Sequence, residues 1–352
     1  MRLLESSIEK FKKKTGFTLP NIEPEGMNLW NLKQFDLAVN IFNRVIDIIS
    51  ASRYKQPQKD DLKNALAYLF EKALPFFVDG MDKNPIHHNV QVVENMLIIA
   101  IQETKSHRLD KSYKFVRKAA VLALLHDIGS GFSNPGLRKI KSSDIKDREQ
   151  ELFKGEMPKE EIEKEISGLI EKAVEYRMVH MIEGAKIAEN LLNEFNRDQK
   201  KFNGVTFNER DIQDIKKCIE RHDLPCIAEY YVTLGKPCNK NYLIQLDNPL
   251  AVILREADRL WMVSKEGLEK DLFEDLEKNK KPEPLLKLKH NVNRFKEETL
   301  FRTKSGLKLL KQYLLQRIDE LNIKYDRKNT NIIEFVLQKE NGVGAWECWN
   351  VS

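Results

Sequence analysis

AAVLALLHDIGSG, residues 119–131, is the stretch on which the reading of this chain turns. The uncharged apolar run from Ala119 to Leu125 predicts a buried helix, which delivers His126 and Asp127 and then breaks at Gly129 and Gly131. An imidazole and a carboxylate carried into an interior need a partner there. A metal suits both, because Zn, Mn and Fe accept these ligand types, and two adjacent residues supply only half a coordination shell.

Four other segments carry a polar residue on or beside an apolar helical stripe: IHHNVQVVENMLIIA with His88, MVHMIEGAKIAENLL with His180, IKKCIERHDLP with His222, and VILREADRLWMV with Asp258. His88, Val92, Met96 and Ala100 recur every fourth residue, one face of a helix. His87 aligns instead with Gln91 and Asn95, a polar face, which makes His88 the ligand candidate and His87 a substrate or outer contact. Leu254, Asp258 and Trp261 share a face, so this carboxylate points where the apolar groups point.

The ordered series His88, His126-Asp127, His180, His222, Asp258 resembles the HD superfamily of metal-dependent phosphohydrolases, over roughly residues 84–264. The resemblance implies an all-α fold. It implies one divalent cation on His88, His126, Asp127 and Asp258, and a second on Asp127, His180 and His222. It also implies hydrolysis of a phosphate ester or anhydride, with water acidified by Mn, Fe, Co, Ni, Zn or Mg as nucleophile. The expected partner is a small phosphorylated molecule of nucleotide type. Arg177, one turn before His180, and Lys186, six residues beyond it, are candidates for steadying the phosphate, with Asp127 positioning the nucleophile.

Two departures narrow the family. Ser130 stands where many members carry a lysine after the HDIG run, and no GYP motif follows Arg221-His222-Asp223-Leu224-Pro225, which argues against a cyclic-dinucleotide substrate. The same ligand series serves diiron oxygenases of the superfamily acting on a polyol or phosphonate. A signalling or binding HD module is a further alternative.

Elsewhere the chain is less informative. Its 352 residues are 32% charged and 41% hydrophobic with a formal net charge of +5, ordinary values that give no nucleic-acid signature. No apolar run approaches the roughly 18 residues of a membrane span, the N-terminus lacks a signal-peptide core, and four cysteines suit a reducing compartment, so the chain reads as cytoplasmic. Residues 1–83 read as helices, disturbed at Pro75, that cap the core or form a homo-oligomer contact. The HD domain is expected over 84–280, with a charged insertion at about 133–175 that leaves the HD pair and returns at His180. That insertion is either a lid, with Arg138, Lys139 and Lys141 meeting phosphate, or a solvated excursion. Residues after His222 suggest a β-like run and two turn signals, forming a loop or short hairpin with Tyr230, Tyr231 or Tyr242 beside the pocket. Residues 281–352 are expected to form a helical extension, with two helical patterns over 285–340, ending in a tail with two tryptophans.

Overall fold

The computed structural model describes residues 2–16, 29–79, 86–132, 140, 142–201, 204–233, 235, 248–277, 283–297 and 301–321. Arg138, Lys139, Lys141, Tyr242 and the tryptophan-bearing tail lie outside these residues. The described residues are all-α, with short 3-10 turns and no strand. None of the described helices is long and apolar enough to cross a membrane. The chain forms two compact units: Met1–Ala67 with His87–Leu124 and Asp247–Ser352, and Tyr68–Ile86 with Leu125–Leu246.

In the first unit, α1 (Arg2–Thr15) packs on α2 (Leu29–Ala51), with the rings of Phe11 and Phe42 at 5.2 Å and Lys14 bonded to Asp47 at 2.8 Å. α3 (Gln56–Asp79) begins in the first unit and continues into the second, remaining helical through Pro75, where the sequence suggests a disturbance. Burial of Leu74 and Phe77 on either side offsets the hydrogen bond that proline cannot donate.

α4 (Ile86–Glu103) is buried around most of its circumference. Val90, Val92, Val93, Met96 and Ile99 are fully enclosed, and so are the residues of the polar face, His87, Gln91 and Asn95. Polarity therefore does not mark a solvent face here. It marks bonds made inside the core. Asn95 Nδ2 donates to the Ala257 carbonyl at 3.0 Å, and the Tyr313 hydroxyl donates to Asn95 Oδ1 at 2.7 Å. Asn89 Nδ2 donates to the Leu124 carbonyl at 3.2 Å, next to the end of α5 (Leu109–Leu125). Glu94 receives both Nε and Nη2 of Arg44 at 2.8 Å.

α10 (Pro249–Leu260) starts with an Asn248 cap and Pro249 in the first turn, positions that suit a missing N–H. A 3-10 turn at Trp261–Val263 leads into α11 (Lys265–Glu277), then α12 (Pro284–Glu297) and α13 (Lys304–Glu320). The two helical patterns expected beyond residue 285 are these last two.

The second unit is dominated by α7 (Lys159–Lys201), 43 residues long, against which pack α6 (Ser142–Lys154), α8 (Glu209–Ile219) and α9 (Leu224–Thr233). The charged insertion folds into α6 and the first half of α7. Ile145, Leu152, Ile162, Ile166, Ile170, Ala173 and Tyr230 give that pair a core of its own. α9 replaces the expected β-like run. Pro225 sits in its first turn, where no intrahelical N–H is needed, and burial of Cys226, Ile227, Ala228 and Tyr230 overrides local β propensity.

Glu256 of α10 is fully enclosed and accepts hydrogen bonds from the backbone of Arg302 (2.6 Å) and Thr303 (2.9 Å) and from the Thr303 hydroxyl (2.5 Å), just ahead of α13. Burial pushes its carboxyl up to about 7 despite these donors, with Glu103 adding to the rise. An acid that binds its proton more tightly in the fold contributes fully below its unfolded pKa of 4.5, and the contribution is lost as pH rises towards 7. Glu256→Gln, which mimics the protonated form, is therefore expected to match the wild type near pH 4.5. It should exceed the wild type by on the order of 3 kcal/mol at pH 8, as measured by chemical denaturation at the two pH values.

Candidate metal centre

The buried helix α5 stops at Leu125, and His126 and Asp127 occupy the turn that follows. A 3-10 segment, Ile128–Phe132, continues from there. Ser130 ties this corner together, since both its N–H (3.0 Å) and its hydroxyl (2.8 Å) donate to the Asp127 carbonyl. The serine that departs from the family pattern is thus buried and used locally.

Within the second unit, Asp127 of this corner, His180 of α7 and His222 of the α8–α9 turn converge. Asp127 Oδ1 lies 3.0 Å from His180 Nε2 and 3.2 Å from His222 Nε2, and the two imidazole nitrogens are 3.1 Å apart. Three ligand atoms around one first-row cation at about 2.1 Å would stand about 3 Å apart in an octahedral arrangement. The triangle has that size. His222 Nδ1 sits 2.7 Å from the Ile219 carbonyl, which can only accept. Nδ1 therefore carries a proton, and in the neutral ring Nε2 keeps the lone pair that a metal uses. His126 is 1% exposed, with its ring 5.5 Å from that of His222.

The charges agree with this arrangement. Burial alone would push the Asp127 carboxyl up, but His126 and the hydrogen bonds from His180 and His222 hold it well below the usual carboxylate range. Burial alone would push His222 down, but its bond to Asp127 and the charges of Asp223 and Asp127 raise it to about 9. A proton on His222 and a cation compete for the same lone pair, so cation binding here is coupled to proton release.

Arg177 and Lys186, the candidate phosphate contacts, are placed differently. Arg177 is half-buried; its Nη1 bonds Asp223 at 2.5 Å and its Nε bonds the Tyr230 hydroxyl at 2.9 Å, which in turn donates to the Ile140 carbonyl at 2.5 Å. This chain ties the residue after His222 and the residue three before His180 to the start of the insertion. Lys186 is exposed and bonds Glu183 at 2.7 Å.

In the first unit, His88 and Asp258 are paired, Nε2 to Oδ1, at 3.2 Å. Trp261 stands edge-on to the His88 ring at 5.1 Å and lies 5.0 Å from His87. Burial pushes His87 down to about 3, helped by His88 and Lys270, so its ring is neutral. Asn95, bonded to the carbonyl just before Asp258, and Asn89, bonded to the carbonyl two residues before His126, are positioning groups that periodicity did not single out. For Asn89, which directly follows His88, that adjacency was the available signal.

A scan of protein-family models, a search of curated proteins and a search of solved structures each return no match to this chain.

Two glycines let the corner approach α7. A Cβ on Gly129 would lie 2.1 Å from the His180 carbonyl oxygen and 2.5 Å from Gly184 N, backbone atoms that cannot step aside. One on Gly184 would lie 3.1 Å from Gly129 N. Gly129→Ala is expected to cost about 1–3 kcal/mol by overpacking and to separate Asp127 from His180. Thermal unfolding and cation affinity should both fall, and both should fall further than in Gly184→Ala.

Proposed function

We propose that this chain is a metal-dependent phosphohydrolase acting on a phosphate ester or anhydride in a small molecule of nucleotide type, with Asp127, His180 and His222 as cation ligands. The observation that supports it most is the triangle of ligand atoms at 3.0–3.2 Å with His222 held in the ligating tautomer. His88, His126 and Asp258 are the remaining residues that the family resemblance assigns to metal.

A divalent cation supplies Lewis acidity toward water and toward the phosphoryl oxygens. The protein supplies the rest. Asp127 stays ionised among imidazoles, so its carboxylate can orient the attacking water and accept its hydrogen bond. The Ile219 carbonyl fixes the His222 ring, and the Arg177–Asp223 pair anchors the backbone on which His222 sits. Burial of Asp127 and His180 strengthens these interactions by lowering the local dielectric.

Elemental analysis of the purified protein is expected to find one or two divalent cations per chain, and Asp127→Ala is expected to lose both the cation and hydrolysis in a screen of nucleotides and phosphodiesters. Two irons with oxygen consumption would replace this reading by the diiron oxygenase. A metal-free protein that turns over no phosphate ester would replace it by a binding module.

A further inference from the structure

α7 presents two adjacent side chains ahead of His180, and they meet opposite fates. Arg177 is committed: its guanidinium is bonded to Asp223 and to Tyr230, so its charge is already answered inside the protein. Tyr176 is not. It is 3% exposed, and its hydroxyl has no hydrogen-bond partner among the described residues. The other buried tyrosines among the described residues each have one: Tyr54 with Ser112, Tyr113 with Asp61 and Tyr230 with the Ile140 carbonyl. A buried hydroxyl left unpaired is unfavourable, so a partner from outside the chain is expected at this oxygen.

Its position says which partner. Tyr176 precedes His180 by four residues, on the same face of the helix, and the two rings stack at 6.4 Å with 25° between their planes. His180 Nδ1 is also buried and unpartnered, while its Nε2 faces Asp127. Two orphan polar atoms therefore sit on stacked rings, and one of those rings, that of His180, belongs to the Asp127–His180–His222 triangle. With a cation on its lone pairs, that triangle has no N–H left to donate to an oxygen held there. A phosphoryl oxygen has lone pairs that require donors. Arg177 does not provide one, and the phenolic O–H can.

We propose that Tyr176 contacts the bound ligand, its hydroxyl donating a hydrogen bond to a phosphoryl oxygen at the Asp127–His180–His222 centre. The assignment rests on the phosphohydrolase reading given above. It gives α7 a second functional residue one turn before His180 and makes the recognition neutral rather than cationic at this point.

The test uses the full chain loaded with Co2+, followed through the cobalt absorption bands, and titrated with inorganic phosphate. Tyr176→Phe keeps the ring and its stacking. It is expected to bind Co2+ as the wild type does, with an unchanged spectrum, and to bind phosphate about tenfold more weakly. Equal phosphate affinity in the two proteins would overturn the proposal and identify the partner of the hydroxyl as water. Loss of Co2+ binding in Tyr176→Phe would also overturn it, because the residue would then act on the ligands and not on phosphate. A wild type that binds Co2+ but does not respond to phosphate refutes the Tyr176 assignment and leaves the metal site standing. A wild type that binds no Co2+ removes both.

Discussion

Asp127 is a carboxylate largely withdrawn from solvent, and the second unit is arranged to make that tolerable. Histidines from the corner itself, from α7 and from the α8–α9 turn surround it, and their attraction outweighs the burial that would otherwise neutralise it. The site cannot form unless three chain segments far apart in sequence arrive within about 3 Å of one another. The close approach of Gly129 to the His180–Gly184 backbone is what permits this. Any side chain at that glycine would hold the corner away from α7. The glycine of the HDIG run is therefore a packing requirement as much as a turn.

Positioning elsewhere is done largely by side-chain bonds to backbone. Asn89, Asn95, Ser130 and Tyr230 each bond a carbonyl within or beside a segment carrying a ligand candidate or the start of the insertion. A carbonyl is fixed in the chain, so a buried donor that holds it sets the register of the whole segment. The C-terminal extension takes part, because Tyr313 of α13 orients the Asn95 amide and Glu256 of α10 receives the N–H groups ahead of α13. These bonds place α13 within the first unit's core instead of as an appendage.

The insertion shows a similar economy. Its surface is highly charged, yet a single apolar stripe on α6 and α7 closes a core around Tyr230, whose hydroxyl meets Arg177. The segment between the HD pair and His180 is thus mechanically tied to the backbone that carries His222.

Much of this was legible in one dimension. The helix ending at the HD pair follows from its apolar run, the two late helices follow from periodicity, and the all-α class came with the family resemblance carried by six polar residues on or beside apolar stripes. Sequence spacing also brought attention to the turn before His180 but selected Arg177, since a charge looks like an anion contact. Only the tertiary structure could show that Asp223 and Tyr230 already engage it and that its neighbour Tyr176 is the one left unpaired. The same limit explains α4, whose polar face proves to be buried, and α9, whose local β preference yielded to burial. Periodicity records which residues share a face of one element. What lies against that face, and therefore whether a polar group is satisfied, hidden or available, depends on segments distant in the chain and is settled only when they pack.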